Sequence, residues 1–182
     1  LQSLIGSYAE KIPAEVLAEK SFNSGGDGPS ENIASLAGKR LVSSSELPEN
    51  MKLNQVLLKT VTGNDNLTAR VCRGHKFTFT PEFKLLLIGN HKPVIKSQDY
   101  AIWRRVYLVP FNNQVKPENE RDPDELLASL TKELSGILNW SIEGYKDFKE
   151  NGLFTPEAVK ENVNQYKSDQ DQLKDFFDSV CL

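Results

Sequence analysis

Two polar residues follow apolar, strand-like runs of the sequence. Glu46 comes after "KRLVSSS", and Asn90 comes after "KLLLIG". Neighbouring strands of a parallel sheet end at one rim, and open α/β sheets bind their ligands there. An acid and an amide brought together at such a rim can orient a water molecule between them, which suits hydrolysis. The alternative is two unrelated strand-end residues, and their spacing alone leaves both interpretations open.

The segment "AIWRRV" places Arg104 and Arg105 at the start of a predicted strand. Strand residues alternate between faces, so only one of the two arginines can point into a given site. An arginine offered to a neighbouring subunit can neutralise the charge that develops on a transferred phosphoryl group. The alternative is a pair of surface arginines beside Trp103.

The segment "RVCRGHKF" is predicted to form the basic tip of a β-hairpin, with Gly74 able to take a positive φ angle. It brings together Arg70, Arg73, His75 and Lys76. Basic side chains on a projecting loop suit phosphate contacts, whereas phenylalanines at period two favour anchoring of the hairpin over base stacking. A solvated charged turn is the alternative.

Metal and nucleophile chemistry is not predicted. Cys72 and His75 have C-x-x-H spacing, but His91 and Cys181 supply no matching second pair for zinc. The serine run that precedes Glu46 lacks a G-x-S-x-G elbow.

The remaining elements follow from periodicity and stop signals. Strands are predicted over 39–46, 84–90 and 104–111, and the apolar 84–90 run is expected to be covered on both faces. Helices are predicted over 1–12, from Ser30 to Gly38, and up to Gly63, with a Gly-rich loop over 22–30. Four more helices are expected at the acidic C-terminal end, beginning near Pro123, Ser135, Pro156 and Ser168.

Bulk composition predicts a soluble, cytoplasmic protein of 182 residues, with 38% apolar and 26% charged residues and no signal peptide or membrane span. The two cysteines are expected to be reduced thiols. The net charge of −3 divides into −2 over residues 1–58, +6 over 59–105 and −7 over 116–182. The positive charge is therefore concentrated in the middle of the sequence.

Taken in order, four segments resemble the phage and plasmid primase-helicase family, whose members carry a superfamily 3 helicase domain of the AAA+ P-loop class. They are "LAGKRLVSSSELPE", "LLKTVTGNDNLTARVCRGHKFTFTPEFKLLLIGNHKP", "DYAIWRRVYLVPF" and "LSGILNWSIEGYKDF". The resemblance covers about residues 1–170. It implies an α/β fold, with a truncated AAA+ core of parallel sheet and hairpin insertion over 1–112 and a helical region over 113–182.

The resemblance also implies roles for individual residues. Glu46 matches the Walker B acid that polarises the attacking water, and Ser45 stands where many P-loop ATPases have a magnesium-binding aspartate. Asn90 matches the sensor-1 amide. Arg105 best matches the arginine finger, with Arg104 as its near competitor.

In the same family the hairpin projects into the channel of a hexameric ring and grips single-stranded DNA, which implicates Lys76, His75 and Arg73. The parent protein is then expected to be an ATP-driven DNA helicase of a phage or mobile element, using ATP and Mg²⁺. A non-enzymatic nucleic-acid-binding or assembly module is the alternative, and an origin-melting initiator is a third.

The sequence departs from the family pattern because it contains no G-x-x-x-x-G-K-[ST] motif. We expect the chain to begin inside the helix that follows this loop in the family. A backbone N–H nest and a lysine hold the β- and γ-phosphates. This chain by itself is therefore expected to bind ATP poorly and to hydrolyse essentially none.

Overall fold

The computed structural model describes residues 1–19, 31–71, 73–96 and 99–171. The described strands are β1 Ala9–Lys11, β2 Leu41–Ser45, β3 Leu67–Arg70, β4 Lys76–Phe79 and β5 Lys84–Ile88. The described α-helices are α1 Gln2–Ile5, α2 Glu31–Ala34, α3 Gln55–Thr62, α4 Tyr100–Trp103, α5 Pro123–Lys132, α6 Leu134–Asn151 and α7 Glu157–Asp169. None of these helices combines the length and the apolar character that crossing a membrane requires.

The fold is α/β, as predicted. The strands β1, β2 and β5 form a parallel sheet with β2 in the centre, and β3 and β4 form a separate antiparallel hairpin. Helices α5, α6 and α7 make up the C-terminal part. The central strand is buried because Val42 and Ser44, which share one face, are both fully enclosed.

The predicted N-terminal helix over 1–12 is wrong beyond its first turn. Helix α1 ends at Ile5, Gly6 adopts φ +60°, and a 3₁₀ turn leads into β1. A left-handed glycine stops a helix. The next three residues then extend the sheet through parallel pairing with β2, a long-range contact that local spacing does not reveal.

The predicted strand over 104–111 is also wrong. Arg104 and Arg105 lie in a turn after α4, and residues 106–116 have no regular secondary structure. Asp99 starts α4 as its N-cap, since its side chain accepts a hydrogen bond from the Ala101 amide. Apolar alternation favours a strand only when a neighbour supplies the backbone hydrogen bonds, and no described strand pairs with this segment.

Strand β5 is not covered on both faces, contrary to the prediction. Leu86 is 40% exposed and Ile88 is 53% exposed, whereas Leu85 and Leu87 on the opposite face are half-buried. The strand is at an edge of the described sheet. A continuous apolar run therefore does not by itself show that both faces are covered.

Several predicted ends are confirmed. Helix α3 ends at Thr62 with Gly63 as its C-cap, and Pro123 begins α5. The predicted end of α2 at Gly38 is wrong, because the helix ends at Ala34 and a turn leads to Gly38, which adopts φ +74°. Helices α6 and α7 match the next two predicted helices. Some predictions fall outside the described residues, namely those for the Gly-rich loop over 22–30, the Ser30 cap, Cys72 and Cys181. Most of the fourth predicted helix is also outside them, and its predicted first residue, Ser168, lies within α7.

The chain divides into two compact units. One contains Tyr107–Gln165 together with Leu1 and Ser3, and the other contains Gln2, Leu4–Val106 and the chain from Tyr166 onward. Every candidate site residue named above belongs to the second unit. Its buried core includes Leu36, Val42, Ile95 and Ile102. The proposed domain boundary after residue 112 stays a prediction.

Candidate functional site

The ends of β2 and β5 bring Glu46 and Asn90 to the same edge of the sheet. The two strands pair in parallel from Leu41↔Lys84 to Ser45↔Ile88. Glu46 directly follows β2, and Gly89 and Asn90 directly follow β5. Hydrogen-bonded neighbours are about 4.8 Å apart. The predicted placement of the acid and the amide on adjacent parallel strands is therefore confirmed, and we call this edge the strand-end site.

Glu46 has an unusual backbone conformation for a residue with a side chain. Its φ angle is +62°, in the left-handed region, and its side chain is exposed. That conformation costs a non-glycine residue about 1 kcal/mol or more, and such strain concentrates at functional sites. Strand β2 ends at Ser45, so the alternation of side chains between the two faces of the sheet does not extend to Glu46.

The turn at Glu46 buries Leu47 against Gly89. A Cβ atom added to Gly89 would be 3.1 Å from both Cβ and Cγ of Leu47. Leu47 itself is buried. Gly89 therefore lets the ends of the two strands approach closely, a role the sequence interpretation missed. The glycine between an apolar strand and Asn90 was the available signal.

The three serines before Glu46 have different environments. Ser43 is buried, and its hydroxyl accepts a hydrogen bond from Gln2 Nε2 at 2.9 Å. Ser44 is fully buried, and its hydroxyl has no partner among the described residues. Ser45 is half-buried at the end of β2. It is the serine that lies next to Glu46 at the strand-end site.

The chain beyond Asn90 is anchored by the last turn of α7. Tyr166 is buried, donates its hydroxyl hydrogen to the Pro93 carbonyl, and packs edge-on against Trp103 with ring centroids 5.2 Å apart. Burial raises the pKa of the Tyr166 hydroxyl, so the group stays a neutral donor. Gln170 adds a second contact by accepting a hydrogen bond from the Ile95 amide at 3.1 Å.

The two candidate arginines differ in their contacts. Arg104 is exposed at the C-terminal end of α4. Arg105 is half-buried, and its Nε donates to Thr62 Oγ1 at 3.1 Å while its Nη1 donates to the Ala101 carbonyl. The sequence placed both arginines on a strand, whereas the structure places them in the turn that follows a short helix.

The hairpin presents its basic residues on the polar face. Arg70 pairs directly across from Lys76, and Thr68 pairs across from Thr78. Among the described residues, Arg70 and Lys76 form no salt bridge, and neither do the other two basic side chains of this group, Arg73 and His75. Like charges facing each other across strands destabilise a hairpin unless an anion binds between them.

The opposite face of the hairpin is apolar. Phe77 and Phe79 are half-buried with ring centroids 5.9 Å apart, and Ala69 is buried on the same face. This arrangement fits the predicted anchoring role of the phenylalanines. At the tip, Arg73 rather than Gly74 takes the left-handed conformation, with φ +57°, so that prediction is wrong. Arg70 Nε donates to the Gly74 carbonyl at 3.0 Å and helps to hold the turn.

A metal centre of the usual kind is not present in the described part of the chain. No group of three or more histidine, cysteine, aspartate or glutamate side chains is close enough there to hold an ion. The strand-end site by itself offers the Glu46 carboxylate, the Ser45 hydroxyl and the Asn90 amide. These are oxygen donors of the type that Mg²⁺ binds when phosphate oxygens complete its coordination.

Comparisons with known proteins point to viral helicases. No protein-family model matches the chain. It is 26% identical to "Putative helicase L207/L206" of Acanthamoeba polyphaga mimivirus across 97% of the chain, which covers 20% of that relative. It is 34% identical to "Putative helicase 022R" of Frog virus 3 across 62% of the chain, which covers 12% of that relative. These similarities support a helicase-related function.

A virophage protein is similar at comparable identity. "Putative helicase V13" of Sputnik virophage is 26% identical across 97% of the chain, which covers 26% of that relative. The chain thus spans about a quarter or less of the length of these relatives.

Proposed function

We propose that this chain is part of an ATP-driven DNA helicase of the superfamily 3, primase-helicase type, which moves along single-stranded DNA as a hexameric ring. Similarity to viral proteins named helicases supports the class. The parallel ends of β2 and β5 support the mechanism, because they bring a carboxylate and an amide to one edge. That juxtaposition is the observation on which the proposal rests.

In this proposal the strand-end site prepares water for attack on the γ-phosphate. Glu46 accepts a hydrogen bond from the water and orients it, while the Asn90 amide contacts the water or the phosphate. The left-handed backbone of Glu46 sets where its side chain leaves the end of β2, and in this proposal that conformation is present before substrate binds.

ATP and Mg²⁺ are the cofactors of the complete protein in this proposal. At the strand-end site, Ser45 and Glu46 would hold the Mg²⁺ ion, and Ser45 would bind it weakly or through a water molecule. The sequence has no G-x-x-x-x-G-K-[ST] loop to cradle the phosphates. Tight ATP binding therefore needs residues outside this sequence, and the chain by itself is expected to bind ATP poorly.

The catalytic test uses the complete protein of this proposal. Glu46→Gln keeps the size and left-handed backbone of the residue but removes the carboxylate, so the DNA-stimulated ATPase rate should fall about 10²-fold or more. Asn90→Ala should lower the same rate. The matched control is Glu49→Gln, an exposed acid three residues away. Wild-type turnover in Glu46→Gln would reject the assignment of this site.

A second function, nucleic-acid binding without ATP, is favoured by one observation: the hairpin places Arg70 and Lys76 directly opposite each other. Binding of this chain to a fluorescent single-stranded oligonucleotide tests it. Lys76→Ala should weaken binding and reduce the slope of log K against log[salt] by about 0.7, the value for one lost phosphate contact.

The control for the binding experiment is Lys146→Ala, which removes the same charge from α6. An unchanged salt slope in Lys76→Ala would contradict a hairpin contact with the DNA backbone. If the chain binds DNA through the hairpin but the complete protein has no ATPase activity, the binding module is the correct function.

A further inference from the structure

The two arginines of "WRRV" have different surroundings, which the sequence could not distinguish. Two nitrogens of the Arg105 guanidinium, Nε and Nη1, donate hydrogen bonds to Thr62 and Ala101 of the same chain. Its third nitrogen, Nη2, is beside Gly63, 3.5 Å from the position that a Cβ atom would occupy there. Arg104 is exposed and forms no side-chain hydrogen bond or salt bridge with the described residues. Among the contacts with described residues, Arg104 has none to break if it approaches another subunit, whereas Arg105 has two.

The contacts of Arg105 are at the C-terminal end of α3. Thr62 is the last residue of that helix, and Gly63 is its C-cap. The end of a helix carries partial negative charge from its free carbonyls, and a cation placed there stabilises it. Lys59 ties α3 to α4 as well, through a 2.5 Å salt bridge with Asp99. The Arg105 side chain and this salt bridge together hold the two helices to one another.

The end of α3 is also the base of the hairpin. Only residues 64–66 separate Gly63 from β3, and Asn64 in this link adopts a left-handed φ of +62°. The base is closed by Thr80, whose hydroxyl donates to Asn66 Oδ1 at 2.8 Å. A shift of Arg105 would therefore act on the segment that leads into the hairpin.

We propose that Arg105 is a positioning residue that holds α4 against the end of α3 and so sets the hairpin, and that Arg104 is the arginine offered to the neighbouring subunit. The second half rests on the proposed helicase function, whereas the first half concerns only this chain. An arginine finger has to reach a phosphate bound by another subunit. Arg105 would have to give up both of its charge-assisted hydrogen bonds to do so, whereas Arg104 has none to give up in the described part of the chain.

The first arm of the test measures single-stranded DNA binding and the urea unfolding midpoint of this chain. Arg105→Ala should weaken binding about 2- to 30-fold, the range seen when coupling residues are removed, and should lower the midpoint. Thr62→Val removes the acceptor of Arg105 Nε and leaves the arginine in place, so it should weaken binding in the same direction. Arg105→Lys should restore part of the binding, since it keeps a cation at the helix end.

The second arm measures ATPase activity of the complete protein. Arg104→Ala should lower kcat about 10³-fold or more, the usual contribution of an arginine finger, and leave the unfolding midpoint unchanged. Adding Arg104→Ala subunits to wild-type rings should reduce the rate more than in proportion to the fraction added, because each altered subunit disables its neighbour's site.

The outcomes separate the two proposals. One set of results would overturn the assignment of both arginines. In it, Arg104→Ala keeps full ATPase activity, Arg105→Ala loses it, and both Arg105→Ala and Thr62→Val bind DNA as the wild type does. An inactive wild-type protein would reject the helicase function and the Arg104 role together. The positioning role of Arg105 would still be decided by the first arm, where wild-type binding and stability in Thr62→Val and Arg105→Ala would refute it.

Discussion

The backbone at Glu46 offers a direct test of the strand-end site, independent of enzymatic activity. Glu46 is held at φ +62°, a conformation that glycine adopts freely and other residues adopt at a cost. If this strain is retained for function, replacing Glu46 with glycine should relieve it. The substitution should then be neutral or stabilising although it removes a side chain from the proposed catalytic position.

The magnitude follows from two opposing contributions. Removing the side chain relieves the strain of the left-handed conformation, which adds about 1–2 kcal/mol to the free energy of unfolding. Glycine also loses more backbone freedom on folding, which subtracts about 0.5–1 kcal/mol. Glu46→Gly should therefore raise the free energy of unfolding by about 0 to 1.5 kcal/mol. Glu46→Gln keeps the strain and should stay within about 0.5 kcal/mol of wild type.

The matched control is Glu49→Gly, an exposed acid in the same loop whose φ angle is not positive. It carries the entropic cost without the relief, so it should lose about 0.5–1 kcal/mol. Urea unfolding of this chain, followed by circular dichroism, measures all three variants. The expected difference between the two glycine variants is about 1–2 kcal/mol. Equal destabilisation by both would refute the argument that Glu46 is strained.

Other substitutions test the packing and electrostatics of the two units separately. Gly89→Ala should lower the free energy of unfolding by about 1–2 kcal/mol, because its Cβ would be 3.1 Å from Leu47. Gly144→Ala, a helical glycine with open space around it, should instead raise it by about 0.5–1 kcal/mol, and a loss there would contradict the reasoning. The ion pair with Lys59 lowers the pKa of Asp99, so its stabilisation is present above the unfolded pKa of about 3.9 and is lost as pH falls below it. Asp99→Asn should make unfolding midpoints less dependent on pH in that acidic range, and an unchanged dependence would show that the ion pair does not contribute.

Local patterns were enough to predict the elements that carry the site. The "KRLVSSSE" and "KLLLIGN" runs gave β2 and β5, helix α3 stops at Gly63, and period two on both sides of a basic turn gave the hairpin. These predictions depend on side-chain alternation and on residues that end elements, which act within a few positions. They also led to the expectation that Glu46 and Asn90 share an edge, which the parallel pairing confirms.

Local patterns failed where a neighbour distant in sequence decides the outcome. Residues 9–11 form a strand because β2 offers an edge, and residues 104–111 do not form one because none of the described strands pairs with them. The same holds for the coverage of β5, where Leu86 and Ile88 remain exposed. Backbone hydrogen bonding between strands is a tertiary interaction, and propensity does not reveal whether a partner is present.

The sequence by itself determined which residue types stand at the ends of the strands and at the tip of the hairpin, and hence which chemistry is available. Three features could be seen only in the tertiary structure. They are the left-handed backbone of Glu46, the packing of Leu47 against Gly89, and the hydrogen bond of Arg105 at the end of α3. Each of these depends on where two segments meet in space. The contacts between such segments depend on how the whole unit packs. The spacing of residues along the chain does not reveal them.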